Sequence, residues 1–401
     1  MINQRQGYIF FYLLIFISII LSIKINASAD RYAIVVDAGS TGSRAFIFKF
    51  TIDNHGKKTF TVQKGLKVEP GLSSFINNID DAITYFLPIF KDAETHIPQI
   101  LHKTTPVYIK GTAGMRLLGE ENETILWNTI YTKLVNHTDF SFSIQPSNLG
   151  TIIGDDEAFY AVLSSNYIEG SINAEMIYQP HIPMVGAFDM GGASIQLIFH
   201  KGVTLGLGQE IGQELVIKKD DFWSYSWLNF GVERIREKVL HLLLHFSQST
   251  SVAIDNDEYI TTTTEESPDS LVTYVENPCT FLGYEYKWNE THTIKGTGRS
   301  EQCVQLLKQL IYVSETTPLD SLKDHVFNHH IINPTCVPPS DSEGSSDSAE
   351  GTCTIEPSAE DNRFIGGIVH PPLQGHFYGM SVYFYALDCI RHLGPVHIPN
   401  W

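Results

Sequence analysis

Apolar residues along this chain gather into a few distinct figures. From Gly7 to Ile23 runs an uncharged stretch rich in Phe, Leu and Ile, preceded by Arg5 and followed by the small-x-small triplet Ala27-Ser28-Ala29. That layout is a secretory signal, although the run is also nearly long enough to span a bilayer. The expectation is a signal over residues 1–29 cleaved after Ala29, with an uncleaved anchor through residues 7–23 as the competing reading. No second stretch of that length follows, so the remainder reads as a lumenal or extracellular globular protein.

Arg31 to Val36 is short and apolar and ends in Asp37, and Ala45 to Phe50 is aromatic and β-branched, with Gly39-Ser40-Thr41-Gly42-Ser43 between them. This predicts strand, small-residue turn, strand. The figure returns later: Met184 to Phe188 is apolar, Asp189 closes it, Gly191-Gly192-Ala193-Ser194 turns, and Ile195 to Phe199 continues as a strand. Two such units read as an internal duplication, giving two related α/β lobes with a ligand between the turns. Between them, Val107 to Lys110 is strand-like and leads through Gly111-Thr112-Ala113-Gly114 to a helical stretch over Leu126 to Leu134. Gly154-Asp155-Asp156 caps a helix from Glu157 to Ser165, and Phe230 to Phe246 shows the spacing of an amphipathic helix. Thr261 to Ser270 and Pro338 to Thr352 are rich in Ser, Thr, Asp and Glu and are expected to be mobile surface loops.

The 401 residues, 43% of them hydrophobic, are enough for a sizeable core in two or three domains. Acidic residues outnumber basic ones 45 to 27, a formal charge of -18, with no basic block. That balance argues against nucleic acid as a partner. An anionic substrate would have to be held locally, by backbone amides or a divalent cation. Cys279, Cys303, Cys336, Cys353 and Cys389 all lie in the C-terminal third, where neighbour pairing joins Cys279 to Cys303 and Cys336 to Cys353 and leaves Cys389 over. Sequons at Asn122, Asn136 and Asn289 fit the same oxidising compartment.

A strand that ends in Asp before a Gly/Ser turn offers backbone N–H groups around a concavity, a cation-sparing way to bind phosphate. One such turn alone reads better as a tight hairpin; two in matching layout favour a grip on a polyphosphate. Asp37 and Asp189 would then hold Mg2+ or Ca2+, through waters. Hydrolysis also needs a carboxylate not spent on the metal, and Glu157 is the candidate base. Its ordinary alternative is a helix N-terminal Glu favoured by the macrodipole. Thr112 is either a site hydroxyl or a turn hydroxyl, and Gln196 and Ser194 could orient the water.

Together these residues resemble the apyrase, or nucleoside triphosphate diphosphohydrolase, family, whose conserved regions occur here in order across nearly the whole mature chain. Asp37-Ala38-Gly39-Ser40-Thr41-Gly42-Ser43-Arg44 resembles the first, Gly111-Thr112-Ala113-Gly114-Met115-Arg116 the second, and Gly154 with Glu157, Tyr160, Asn166 and Tyr167 the third. Asp189 with Gly191-Gly192-Ala193-Ser194 and Gln196 resembles the fourth, and His376 through Tyr385 the fifth. The resemblance implies an α/β fold of two ribonuclease-H-like lobes, as in actin, sugar kinases and chaperone ATPases, over residues 30–152 and 153–401. It implies a nucleoside di- or triphosphate substrate, Glu157 as base, and Thr112, Ser194 and Gln196 positioning the water. It further implies phosphate contacts from Gly39, Ser40, Thr41, Gly42, Ser43, Arg44, Gly191, Gly192 and Ala193, a metal at Asp37 and Asp189, and a nucleobase stacked on Tyr385.

Gly42-Ser43-Arg44 looks like the Golgi, lysosomal and secreted branch, which often prefers diphosphates such as UDP or GDP. Family members continue for several dozen residues past the fifth region, so the end at Trp401 is expected to mark a shortened product. The alternatives are an inactive nucleotide-binding isoform and a sugar-kinase-like phosphotransferase. Oligomeric state is left open.

Overall fold

The computed structural model describes residues 30–52, 58–173, 176–179, 181–202, 216–248, 253–254, 258–259, 262–267, 270–323, 364–373 and 375–383. The signal segment, the 338–352 stretch, Cys336, Cys353, Tyr385 and Cys389 lie outside these residues. No helix among the described residues is long and apolar enough to cross a membrane. Contacts divide the chain into two compact units, Met1–Val232 with Leu373–Trp401, and Glu233–Pro372.

The first unit opens with β1 (Arg31–Ala38), β2 (Ser43–Ile52) and β3 (Lys58–Val68), a meander followed by helix α1 (Ile79–Glu94). β4 (Val107–Gly111), the one-turn α2 (Ala113–Arg116), α3 (Glu120–Val135) and β5 (Leu149–Thr151) complete a five-stranded sheet of order β3-β2-β1-β4-β5. β1 is antiparallel to β2 and parallel to β4. Ile34, Val36 and Ala38 face one core cluster with Phe86, Ile89 and Phe90 of α1, while Ala33 and Val35 face another with Phe46 and Phe48. A central strand buried on both faces reads as a continuous apolar run, which is why β1 was so plain in the sequence.

α4 (Gly154–Glu169) begins three residues before Glu157 and runs past Ser165 to Gly170, whose φ of 81° ends it in the left-handed region. It packs beneath β6 (Gly186–Met190), β7 (Ser194–His200) and β8 (Phe222–Leu228), burying Ala158, Ala161 and Val162 with Ala187, Ile198 and Phe222. In this second sheet β6 is antiparallel to β7, β7 to β8, and β6 is parallel to a far later strand spanning Phe377–Ser381. The first sheet has the same plan: a three-stranded meander with a parallel strand beside its first member. The duplication read from the sequence is thus present in the topology. Even the register repeats, with Asp37 opposite Arg44 and Asp189 opposite Gln196.

The second unit contains α5 (Val232–Gln248), the ribbon β9 (Ala253–Ile254) and β10 (Glu258–Tyr259), then β11 (Thr262–Ser267), β12 (Ser270–Asn277), β13 (Glu285–Lys287) and β14 (His292–Gly296), then α6 (Ser300–Ile311). β15 (Phe364–Ile365) and β16 (Ile368–Val369) form a last ribbon, and the Phe377–Ser381 strand of the first unit is β17. The stretch expected as a mobile loop around Thr261 to Ser270 instead forms β11, paired antiparallel with β12. Its run of threonines is polar in composition but β-branched in shape, and shape decides in favour of a strand. Val239, Leu242, Leu243, Val275, Ile294, Leu306 and Leu310 make this unit's core, and Cys279 is joined to Cys303 as neighbour pairing expected.

Candidate active site

Two hairpin turns of the first unit have the same internal bond: Gly39 N–H donates to the Gly42 carbonyl, and Gly191 N–H to the Ser194 carbonyl, each at 3.0 Å. In each the Asp two residues earlier, Asp37 or Asp189, is the next-to-last residue of its strand. Glycines let the neighbouring backbone press against these turns. A Cβ at Gly71 would collide with the Ser40 carbonyl, and one at Gly114 would lie 2.8 Å from Ser40 Cα. On the second turn, a Cβ at Gly231 would strike Gly192, Ala193 and Ser194. Asn229 and Val232 N–H groups, donating to the Ala193 and Gly191 carbonyls at 2.8 and 3.0 Å, hold the same turn from outside.

Among the described residues the Ser40, Thr41 and Gly192 amides have no hydrogen-bond acceptor, and all three residues are at least partly exposed. Gly42, Ser43 and Ala193 are buried. Arg44 leaves the first turn beside Lys64 and Lys67; the Lys64 ammonium is pushed down by burial, then by those two charges. The acidic composition pointed to backbone amides or a divalent cation as the local hold on an anion, and this cationic group is a third source of it.

Thr112 sits where β4 meets the first turn, its N–H donating to the Ala38 carbonyl at 3.3 Å, and its side chain takes no part in capping α2. α2 then aims Arg116 at the centre of the site. Arg116 Nη1 donates to Glu157 Oε2 at 2.8 Å and to the Ile152 carbonyl at 2.9 Å, while Nη2 donates to Ser194 Oγ at 3.1 Å. Gln196 Nε2 lies 3.0 Å from Glu157 Oε2, 2.8 Å from Ser194 Oγ and 2.9 Å from Ser226 Oγ. Glu157, Ser194 and Gln196 therefore meet in one buried cluster, together with two residues that sequence reasoning did not assign. Arg116 was visible as the only charge in its motif; Ser226 had no sequence signal at all.

Burial is the main force on Glu157, raising its carboxyl to about 7; Arg116 opposes this, and the nearby Asp189 and Asp37 carboxylates add to it. Asp189 is also pushed up by burial, partly offset by a hydrogen bond from Ser381 on β17. Its Oδ1 is buried without a hydrogen-bond partner among the described residues. An orphaned carboxylate oxygen on Asp189, in a site where Asp189 and Asp37 both raise Glu157, suits a hard divalent cation. Tyr383 closes this side, its ring 6.1 Å from Phe188 and its hydroxyl pushed up to about 12 by burial and by Asp189.

The GDA1/CD39 (nucleoside phosphatase) family model matches residues 23–335. Among curated proteins the chain is similar to a guanosine-diphosphatase of Saccharomyces cerevisiae, 30% identical over 291 residues, covering 70% of this chain and 54% of that one. A nucleoside-triphosphatase of Pisum sativum is 33% identical over 228 residues, 53% of this chain and 48% of its own. A Golgi apyrase of Schizosaccharomyces pombe is 27% identical over 316 residues, covering 72% and 50%. The chain spans about half the length of these relatives. Among solved structures, one of nucleoside triphosphate hydrolases from Neospora caninum is matched with a TM-score of 0.45 at 16% identity, over 71% of this chain and 55% of that one.

Proposed function

The chain belongs to the GDA1/CD39 (nucleoside phosphatase) family, and on that premise we propose that it hydrolyses the terminal phosphate of nucleoside tri- and diphosphates by direct attack of water. The observation that carries this reading is the Glu157 carboxyl: buried, raised to about 7, and held by Arg116 and Gln196 beside Ser194 of the second turn.

Residues 30–152 and 153–401 serve as the two lobes of the reading, each offering one turn to the phosphate chain. Ser40, Thr41 and Gly192 amides donate to phosphate oxygens, and Arg44 adds charge to the first turn. Gly39, Gly42, Ser43, Gly191 and Ala193 act through the shape of the turns, since their polar groups are bonded or buried. Both Arg116 and Gln196 donate to Oε2 of Glu157, which leaves Oε1 to take the proton of the attacking water. Ser194 Oγ and Thr112 flank that water and fix its direction. A base whose carboxyl sits near 7 matches a neutral compartment, where it is partly ionised yet basic enough to accept a proton. The oxygen that Glu157 activates forms the new P–O bond while the bridging P–O bond breaks, giving orthophosphate and a nucleotide shortened by one phosphate.

Mg2+ or Ca2+ at Asp37 and Asp189 would neutralise charge on the phosphates and help orient them. Gly42-Ser43-Arg44 supports diphosphates such as GDP or UDP as preferred substrates, and Tyr385 is proposed to stack on the base. The Golgi apyrase similarity supports a secretory-pathway lumen, with or without anchoring through residues 7–23.

Orthophosphate release from ATP, ADP, UDP and GDP by the full chain tests this reading, with Mg2+, with Ca2+ and then with EDTA. Metal-dependent release is expected, fastest from a diphosphate. No release from folded protein that binds nucleotide would contradict it.

A further inference from the structure

Three sequons lie among the described residues, and they differ in how the structure holds their asparagines. Asn122 and Asn136 belong to the two ends of α3, and each spends its amide nitrogen on the helix: Asn122 Nδ2 donates to the Leu118 carbonyl at 3.1 Å, Asn136 Nδ2 to the Thr132 carbonyl at 2.7 Å. Asn289 is arranged the opposite way. It lies in the turn between β13 and β14, where its Oδ1 accepts from Thr291 N–H at 2.9 Å and His292 N–H at 2.7 Å, with Thr291 Oγ at 3.1 Å. This is a side-chain turn formed by the sequon's own threonine. Its Nδ2 has no acceptor among the described residues, and the residue is exposed.

The surroundings match a carbohydrate. Tyr284, Tyr286 and Trp288 alternate along β13 and its ends and so share one face of the strand. Tyr286 packs on the unit's core and its ring lies 5.8 Å from that of Tyr284. Tyr284 and Trp288 stay 55% and 42% exposed. An aromatic strip that ends at an asparagine with a free amide is an apolar platform for the C–H face of a pyranose.

We propose that Asn289 is an N-glycosylation site whose first sugar packs on the Trp288 ring; this rests on the secretory route of the preceding reading but not on the hydrolytic one. In the transfer, Asn289 Nδ2 bonds to the anomeric carbon of a lipid-linked oligosaccharide, and the bond from that carbon to the polyprenyl pyrophosphate breaks. The pyrophosphate leaves with the electron pair and the displaced Nδ2 proton goes to solvent.

The test is secretion of the full chain from a eukaryotic host, followed by peptide N-glycanase digestion in heavy-oxygen water and peptide mass analysis. Asn289 is expected back as labelled Asp, and Asn289→Gln should remove one glycan from the intact protein. Trp288→Ala should speed native-state removal of that glycan about threefold or more, the scale of one aromatic contact. Unmodified Asn289 with a glycan on Asn122 or Asn136 would overturn the site and leave the secretory route standing. No glycan at any sequon would overturn both. Unchanged removal from the Trp288 variant would overturn the packing of the sugar.

Discussion

Arg116 offers the sharpest perturbation, because it is the strongest opponent of the burial that raises Glu157. Its side chain is 14% exposed and that of Glu157 9%, so the pair at 2.8 Å is largely desolvated. Removing one member of such a pair costs about 3–5 kcal/mol, since the other charge remains buried alone. In Arg116→Met, however, Glu157 can escape most of that cost by holding its proton. Its carboxyl then titrates above about 7. Each further unit of elevation lowers the ionised fraction at neutral pH by roughly tenfold once the midpoint is passed. The loss in activity should therefore depend on pH. In kcat/KM for orthophosphate release from GDP, measured from acid to alkaline pH, the acid limb should move upward. The deficit should be largest on the acid side and shrink as alkali restores the carboxylate. Arg116→Lys keeps a charge but cannot span Oε2, the Ile152 carbonyl and Ser194 Oγ at once, and should fall between. A deficit equal at every pH would refute this reasoning and place Arg116 on the substrate or in the fold instead.

Three other outcomes follow from the same geometry. Because Glu157 is raised from 4.5 to about 7, the folded protein binds the extra proton between those values, and folding stability falls as pH rises through that window by up to about 3 kcal/mol. Glu157→Gln removes that penalty, so its melting temperature relative to the parent protein should climb from pH 5 to pH 8; a flat difference would show that the carboxyl is not raised. Gly231→Ala forces a Cβ into the Gly192-Ala193-Ser194 backbone and should cost about 1–3 kcal/mol with most of the activity, and a variant melting and turning over like the parent would remove the turn from the site. Asp189→Asn takes away the carboxylate whose Oδ1 is orphaned, and titration of the metal should show weaker response together with slower release. An unchanged metal midpoint there would take Asp189 out of the cation's grasp.

Local features of this fold were legible where one segment contained the whole signal. β1 was plain because Ala33 to Val36 are buried on both faces, and the two Asp-Gly turns because a hairpin is written within ten residues. Glu157 could be picked out as a helix-opening acid, but not as a raised one, since its burial comes from Arg116, Gln196 and the second sheet, none adjacent in sequence. β17 illustrates the limit. His376 through Tyr385 read as the family's fifth conserved region, yet Phe377–Ser381 within it pairs in parallel with Gly186–Met190, a contact that nothing local encodes. The threonines of β11 misled through polarity, because an amphipathic pattern was absent while β-branching favoured a strand. Ser226 reached the site only through the register of β8 against β7, which sets it opposite Gln196.

The account turns on Glu157 as the group that takes the proton from water. Its most direct test compares the parent protein with Glu157→Gln for both orthophosphate release and nucleotide binding under the same metal. A roughly 10²–10⁴-fold drop in release, the span of general-base catalysis, with binding nearly unchanged is the expected result. Release from the variant at the parent's rate would contradict it, and the base would have to be sought elsewhere in the site.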